Sequence, residues 1–219
     1  MGLHNVIEKV GRFFKPENLA QQTINYTAPP GEILLPTAHN LALLVIDVQK
    51  EFCDPAGERG NKETADVAER IRNIVPAFRA ANIPTYAIYF SCAPKGPSEI
   101  DFYKFTPDPH DQLIAKNKNS AFEGSTIKTI LKTDKRKTLL VCGFNLNACI
   151  YSTVVDARRN GFDVCLLRDL VGNDKYNFTA NTPHMLKKMK EKGVVIRSSA
   201  EALTRIAALN CHPNTSAIS

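Results

Sequence analysis

The chain has 219 residues, of which 43% are hydrophobic and 23% charged, and its formal net charge is +6. This length and composition are typical of one soluble globular domain with a substantial core. No stretch approaches the roughly 20 apolar residues that a transmembrane helix needs. The positive charge comes without stacking aromatics or a nucleic-acid-binding module, so we expect a solvated basic surface and no nucleic-acid partner.

Residues 1–40 differ in pattern from the rest, and we interpret them as an N-terminal arm. Apolar residues there recur on one face of a predicted helix: Leu3, Val6, Ile7, Val10, Phe13 and Phe14. Such a helix is typical of an arm that packs on its own domain or a neighbouring subunit, or of one that binds a membrane surface or a partner. The short stripe and sparse basic face favour the packing arm.

Strand-like and helix-like segments alternate over residues 41–209, and a C-terminal tail follows over 210–219. Strands are predicted at about 41–47, 84–90, 112–116, 138–142, 163–167 and 194–196, and helices at about 63–81, 125–133, 149–159, 182–191 and from 199 onward. This alternation predicts a three-layer α/β/α domain with a Rossmann-like parallel sheet of about six strands.

Three local signals refine this prediction. Pro76 predicts a kink or a break in the first long helix. Ser198 and Glu201 have the spacing of a capping box that opens the last helix. The irregular, proline-rich segment 91–112 is long enough to suggest a functional role, such as covering a site.

Cys149 is the first candidate functional residue. It follows the apolar run 139–142 and Gly143, and apolar residues then recur at helical spacing up to Gly161. A thiol in the first turn of a helix feels the positive end of the helix dipole and free backbone N–H groups, which favour the thiolate. The alternative is a buried and inert cysteine, which is common.

Two other segments carry charged residues near predicted strand ends. Asp47 follows the apolar run 43–46, so its carboxylate is expected at the carboxyl edge of the sheet, where open α/β sheets bind ligands. Lys116 and Lys118 follow a short apolar segment, and on extended backbone both would face the same side. The alternatives are a turn aspartate and an exposed basic loop.

Together these segments resemble the isochorismatase-like cysteine hydrolases over about residues 38–205. That family carries an aspartate after its first strand, a lysine shortly before a Ser-Ala-Phe motif, and a cysteine six residues after a glycine. Here these are Asp47, Lys116 before 120–122, and Cys149 after Gly143. The resemblance implies the isochorismatase-like hydrolase fold and cleavage of a C–N bond in a small amide, ureido or carbamoyl compound through a thioester.

The resemblance also implies roles for individual residues. Cys149 is the expected nucleophile, Asp47 takes the thiol proton and delivers it to the leaving nitrogen, and Lys116 holds Asp47 ionised and favours the thiolate. The backbone amides of Asn145 and Cys149 are the expected oxyanion hole. A cis peptide is expected between Phe144 and Asn145.

The substrate-binding residues and the catalytic lysine are less sharply indicated by the sequence. Phe52, Phe122 and Phe144 are the expected substrate-binding residues, although ordinary core packing is an equal alternative for Phe52 and Phe122. The spacing to Ser-Ala-Phe favours Lys116 over Lys118 as the catalytic lysine.

The sequence departs from the metal-dependent nicotinamidases, which carry an Asp-x-His metal motif after the second strand. Asp108 and His110 are two residues apart, but the arrangement of that motif is missing. We therefore expect no metal and no cofactor, and a metal-dependent amidase that uses Asp108 and His110 is the alternative. The cysteine argues for amide cleavage rather than the vinyl-ether cleavage of true isochorismatases, which lack it.

The six cysteines have no metal-ligand spacing. The α/β pattern and the lack of a secretory pattern favour a reducing, cytoplasmic location. Because the family commonly forms dimers or tetramers, we expect a homo-oligomer whose partner is a small-molecule substrate. The competing hypothesis is a binding protein on a catalytically retired scaffold.

Overall fold

The computed structural model describes residues 40–91, 96–177 and 182–211. The predicted N-terminal helix lies outside the described residues, as does most of the predicted tail. The strands are β1 (Leu41–Ile46), β2 (Thr85–Phe90), β3 (Gln112–Lys116), β4 (Thr138–Phe144), β5 (Asp163–Gly172) and β6 (Val195–Arg197). The helices are α1 (Lys50–Cys53), α2 (Lys62–Ala80), α3 (Ile127–Thr133), α4 (Tyr151–Arg159), α5 (Thr182–Glu191) and α6 (Ser199–Cys211). Among the described helices, none is long and apolar enough to cross a membrane.

The strands form one parallel sheet in the order β3-β2-β1-β4-β5-β6. The strand order reverses between β1 and β4, so the connections that leave these two strands go to opposite halves of the sheet. Such a switch point opens a crevice at the carboxyl ends of the strands. The predicted α/β fold with about six parallel strands is confirmed.

Strand β1 shows how the two outer layers arise. Its odd-numbered residues pack into the core beneath α2 and α6, and its even-numbered residues pack into the core beneath α3, α4 and α5. Every residue of β1 is buried, because side chains alternate between two covered faces. The strand therefore appears in the sequence as a continuous apolar run.

Helix α2 and the last helix test two local predictions. Helix α2 runs unbroken past Pro76, so the predicted break does not occur. Pro76 is on the exposed side of the helix, where water can satisfy the carbonyl that loses its donor. The capping box is confirmed, because Ser198 N donates to Glu201 Oε2 (2.6 Å) and Glu201 N donates to Ser198 Oγ (3.2 Å).

Strand β5 is longer than the sequence predicts, since it continues to Gly172. The apolar run is interrupted by Arg168 and Asp169, and the pairing of β4 with β5 shifts register at this point. The Asp169 carboxylate accepts hydrogen bonds from Ser199 N (2.7 Å) and Ser199 Oγ (2.6 Å) at the start of α6. Arg168 and Asp169 thus divide β5 into two apolar parts, and Asp169 is held by its hydrogen bonds to the start of α6.

The described part of the proline-rich segment, residues 96–111, packs against the loop that follows β1. Lys50 N donates to Asp101 O (2.8 Å), and Tyr103 N donates to Val48 O (2.9 Å). The ring of Phe102 lies edge-on to that of Phe105, with 5.5 Å between ring centroids. The segment therefore adjoins the strand end that carries Asp47, and its role as a cover stays a prediction.

Gly143 marks the closest approach of the two central strands. Its φ is +115°, and a Cβ atom built there would lie 2.0 Å from the carbonyl oxygen of Ile46. A side chain at this position would force β1 and β4 apart at the edge where Asp47 and the Cys149 turn begin. Glycine is required here for space as well as for backbone conformation.

We expect Gly143→Ala to lower the free energy of unfolding by about 3 kcal/mol or more, because the added methyl group collides with backbone rather than with a movable side chain. Gly161→Ala is the matched control, since Gly161 also has a positive φ (+83°) but no described atom lies within 4 Å of its built Cβ. The control should lose only about 1–2 kcal/mol. Urea denaturation of both variants measures the difference, and equal losses would contradict the steric argument.

Candidate active site

Three charged or nucleophilic side chains meet at the carboxyl edge of the sheet. Asp47 directly follows β1, Lys116 is the last residue of β3, and Cys149 lies in the turn after β4. Strand β2 separates β1 from β3, so the Lys116 side chain must cross the end of β2 to reach Asp47. It does so over the ring of Phe90, with Nζ 4.7 Å from the ring centroid.

The Lys116–Asp47 ion pair is buried. Lys116 Nζ lies 2.8 Å from Asp47 Oδ2, and the two side chains are 0% and 1% exposed. Lys116 and Cys149 both lie within hydrogen-bonding reach of the Asp47 carboxylate, and the charge of Lys116 at this short distance offsets the burial of the carboxylate. Asp47 also has a left-handed backbone conformation (φ 54°), which aspartate tolerates better than most residues.

Cys149 completes the cluster. Its Sγ lies 3.4 Å from Lys116 Nζ and 3.9 Å from Asn119 Oδ1, and the residue is 6% exposed. The sequence predicts a thiol in the first turn of an α-helix. Instead, Cys149 lies in a π-helical turn, Leu146–Ile150, and α4 begins only at Tyr151.

The expectation that the surroundings favour the thiolate is wrong for the resting site. Burial and the charge of Asp47 raise the pKa of Cys149 to about 11, although the charge of Lys116 acts in the opposite direction. Burial also raises the pKa of Asp47, again against the influence of Lys116. The cysteine is therefore a neutral thiol at neutral pH, beside a carboxylate with increased proton affinity.

The structure distinguishes the two candidate lysines by position. Lys118 is exposed and contributes its backbone carbonyl, which accepts a hydrogen bond from Lys116 Nζ (3.2 Å). Strand β3 ends at Lys116, so the chain turns before Lys118 and the two side chains do not share one side. Lys116 is the amine that contacts both Asp47 and Cys149.

Asn145 is held by a group that the sequence analysis missed. The predicted cis peptide is present between Phe144 and Asn145. The Asn145 side chain donates to Asp174 Oδ2 (3.2 Å) and accepts from Asp174 N (2.7 Å). The Asp174 carboxylate is fully buried and also accepts two contacts from Arg59 (2.7 and 2.8 Å). We call Arg59, Asn145 and Asp174 the Asp174 cluster.

A sequence signal for Asp174 did exist. Asn173 directly follows β5, as Asp47 directly follows β1, and Asp174 is the next residue. Because the predicted strand stopped at residue 167, these two residues were not expected at the carboxyl edge. Arg59 carries no such signal, because it lies in a loop and reaches Asp174 only through the fold.

The three phenylalanines expected to bind substrate lie in different surroundings. Phe52 is 4% exposed and lies under the Arg59 guanidinium, 4.6 Å from it. Phe122 is half-buried and packs against the ring of Phe162, and Phe144 is fully buried in the core beneath α2. Their contact with substrate stays a prediction.

Asp108 and His110 lie in the segment beside α2. His110 N donates to Asp108 Oδ1 (3.0 Å), and His110 is exposed. Within residues 40–91, 96–177 and 182–211, no group of three His, Cys, Asp or Glu side chains is placed to hold a metal ion. The sequence expectation of a metal-free site stays a prediction.

An open cleft of about 570 Å³ lies beside residues that contact the three side chains. It lies between the loop after β3 and helix α4, and its lining includes Lys118, Asn119, Tyr151 and Arg159. Two lining residues of the cleft contact the candidate site. Asn119 contacts the Cys149 thiol, and Phe90 covers the Lys116 ammonium. Asn119 thus separates the cleft from the buried thiol.

Comparisons with known proteins identify the family of this chain. The family model of the isochorismatase domain matches residues 41–201, which confirms the resemblance drawn from the three motifs. A secreted isochorismatase effector of Verticillium dahliae is 24% identical over 139 residues, 60% of this chain and 72% of that protein. The N-carbamoylsarcosine amidase of an Arthrobacter species is 22% identical over 156 residues, 60% of this chain and 59% of that protein.

A solved structure supports the fold independently. A cysteine hydrolase from Pseudomonas syringae pv. phaseolicola superposes with a TM-score of 0.70 at 20% identity, covering 84% of this chain and 100% of that one. At this identity the likeness concerns the fold alone.

We expect Asp47→Asn to increase the reaction of Cys149 with iodoacetamide at pH 7.5 by about three- to tenfold. The substitution removes the charge that raises the pKa of the thiol and leaves the Lys116 cation, and one pKa unit changes the thiolate fraction tenfold. Mass spectrometry of the Cys149 peptide over time measures the rate, and Lys118→Met is the control that should react like the wild type. A slower reaction in Asp47→Asn would mean that Asp47 already activates the thiol in the resting site.

We expect Asp174→Ala to lower the free energy of unfolding by about 2–3 kcal/mol, because Arg59 and Asn145 lose their buried partner. Glu51→Ala is the control: Glu51 binds the same guanidinium (3.0 Å) but is 55% exposed, so its loss should change stability by less than about 0.5 kcal/mol. Thermal and urea unfolding compare the two variants, and equal effects would contradict a structural role for the Asp174 cluster.

Proposed function

The chain belongs to the isochorismatase family, and we propose that it is a cysteine hydrolase that cleaves a C–N bond of a small amide, ureido or carbamoyl compound. The observation that carries this proposal is the buried contact of Cys149 Sγ with Lys116 Nζ (3.4 Å), while the same ammonium lies 2.8 Å from Asp47. A nucleophile, a base and a fixed cation within one dry site are the parts that acyl transfer through a thioester requires.

The first step is proton transfer from the Cys149 thiol to Asp47. The thiol is neutral in the resting site, and burial raises the pKa of Asp47 toward the range in which a carboxylate both takes and returns a proton. The sulfur then attacks the carbonyl carbon of the substrate. Lys116 stabilises the negative charge while it resides on sulfur, because its ammonium is fixed beside that atom.

The second step breaks the C–N bond. Protonated Asp47 donates its proton to the leaving nitrogen, the amine or ammonia departs, and Cys149 remains as a thioester. A water molecule then gives its proton to Asp47 and attacks the thioester carbon, and Asp47 returns the proton to sulfur. One carboxylate thus serves as acid and as base in both halves of the reaction.

The oxyanion of each tetrahedral intermediate needs donors that are already in place. We assign this role to the backbone amides of Asn145 and Cys149, which belong to the end of β4 and the turn that follows. Backbone N–H groups held by secondary structure need no reorganisation in the transition state. Asp174 supports the assignment, since its two hydrogen bonds fix the Asn145 side chain.

The surroundings of the site suit a small molecule. The thiol is almost completely buried, and the adjoining cleft of about 570 Å³ matches the size of small-ligand pockets. Cys53, Cys142, Cys149 and Cys165 are free and buried, which suits the cytoplasmic location predicted from the sequence. We retain a homo-oligomer as part of the proposal, on family resemblance alone.

We expect Cys149→Ala to abolish hydrolysis, with a loss of at least about a thousandfold, while the fold is retained. An ammonia-release screen over small primary amides, ureas and N-carbamoyl compounds identifies a substrate with the wild type, and the variant is then assayed on it. Cys165→Ala is the matched control, because Cys165 is a buried core cysteine far from the site and its loss should leave the specific activity nearly unchanged. Activity that survives in Cys149→Ala would rule out the thioester route.

A further inference from the structure

Asn119 is placed between the open cleft and the buried nucleophile. Asn119 is exposed and lines the cleft. Its Oδ1 nevertheless lies 3.9 Å from the Sγ atom of Cys149, a residue that is 6% exposed. Neither Asp47, Lys116 nor Cys149 lines the cleft. A molecule that enters from the cleft therefore meets the Asn119 carboxamide next to the thiol.

The loop that carries Asn119 is fixed on both sides of this residue. Before it, the Lys118 carbonyl accepts a hydrogen bond from Lys116 Nζ (3.2 Å). After it, Ala121 N donates to the buried Thr153 Oγ1 of α4 (2.9 Å). The backbone on both sides of Asn119 is thus fixed, in part by the same lysine that contacts Cys149, so the loop needs little ordering when a substrate binds.

The Asn119 carboxamide can form further hydrogen bonds. Its oxygen faces the thiol, and no described residue accepts a hydrogen bond from its Nδ2 group. An amide side chain presents donors and an acceptor in one plane, which is the pattern that an amide or ureido group complements. It is also uncharged, so it adds no electrostatic bias to the thiol.

We propose that Asn119 is a specificity-determining residue that binds the carboxamide or ureido group of the substrate as it enters from the cleft and orients it toward Cys149. This inference rests on the proposed function and deepens it. Substrates with a free –CO–NH₂ or –NH–CO–NH₂ group are favoured, because they return hydrogen bonds to the Asn119 side chain. An ester can accept a hydrogen bond from Asn119 Nδ2 but has no N–H to donate to Oδ1, and an alkyl group forms neither hydrogen bond.

The test uses three thiol reagents and needs no known substrate. Iodoacetamide carries a carboxamide, iodoacetate carries a carboxylate, and methyl methanethiosulfonate carries neither. The rate at Cys149 is followed by mass spectrometry for wild type, Asn119→Ala and Asn117→Ala. Asn117 is the matched control, because it is an exposed asparagine that lines the same cleft.

In Asn119→Ala the ratio of the iodoacetamide rate to the methanethiosulfonate rate should fall about three- to tenfold, the value of one hydrogen bond. The same ratio should not change in Asn117→Ala. Asn119→Asp should in addition slow iodoacetate relative to iodoacetamide, since it places a negative charge beside the thiol. A merely structural role would slow all three reagents together and lower the melting temperature, and that result overturns the proposal.

Two failures are distinguishable. If Cys149 of the wild type reacts and supports hydrolysis but the ratio is unchanged in Asn119→Ala, Asn119 does not bind the amide group and the proposed function still stands. If Cys149 of the wild type reacts with none of the three reagents and no amide is hydrolysed, the nucleophile itself fails, and both the function and the role of Asn119 are overturned.

Discussion

The buried ion pair between Lys116 and Asp47 is the interaction on which the candidate site depends. Each charge alone would be costly in a dry interior, by several kcal/mol per ion, so the two must stay together. They come from strands that are not neighbours, and the lysine crosses the end of β2 to reach its partner. The ion pair therefore forms only when β1, β2 and β3 are correctly paired, so the candidate site depends on the assembled sheet.

The same burial affects the ionisation of the Cys149 thiol. A cation beside a thiol is often taken as sufficient to form a thiolate, but here burial and the Asp47 charge outweigh it and raise the pKa of Cys149 to about 11. Among the described cysteines, Cys149 still has the smallest increase, since the pKa of Cys165 is raised to about 12 and those of the other two further. Burial and the Asp47 charge thus oppose ionisation of the Cys149 thiol more strongly than the Lys116 charge favours it.

Polar contacts help to organise the loops around Asp47, Lys116 and Cys149. Asp174 joins the end of β5 to Asn145 after β4 and to Arg59 in the loop after α1. On the opposite side, Thr153 and Lys116 hold the loop that carries Asn119. Strand ends fix the reacting groups, and these two sets of hydrogen bonds fix the groups that surround them.

The parallel α/β sheet was predictable from the amino-acid sequence, because continuous apolar runs alternate with helical periodicity, and the sequence also put Asp47, Lys116 and Cys149 near strand ends. It left Lys116 and Lys118 unresolved and ended β5 before Asn173 and Asp174. The choice between the two lysines, the raised pKa of the Cys149 thiol, and the positions of Asp174 and Asn119 follow from the three-dimensional structure. These properties depend on burial and on distances between segments far apart in the chain, which local patterns do not contain.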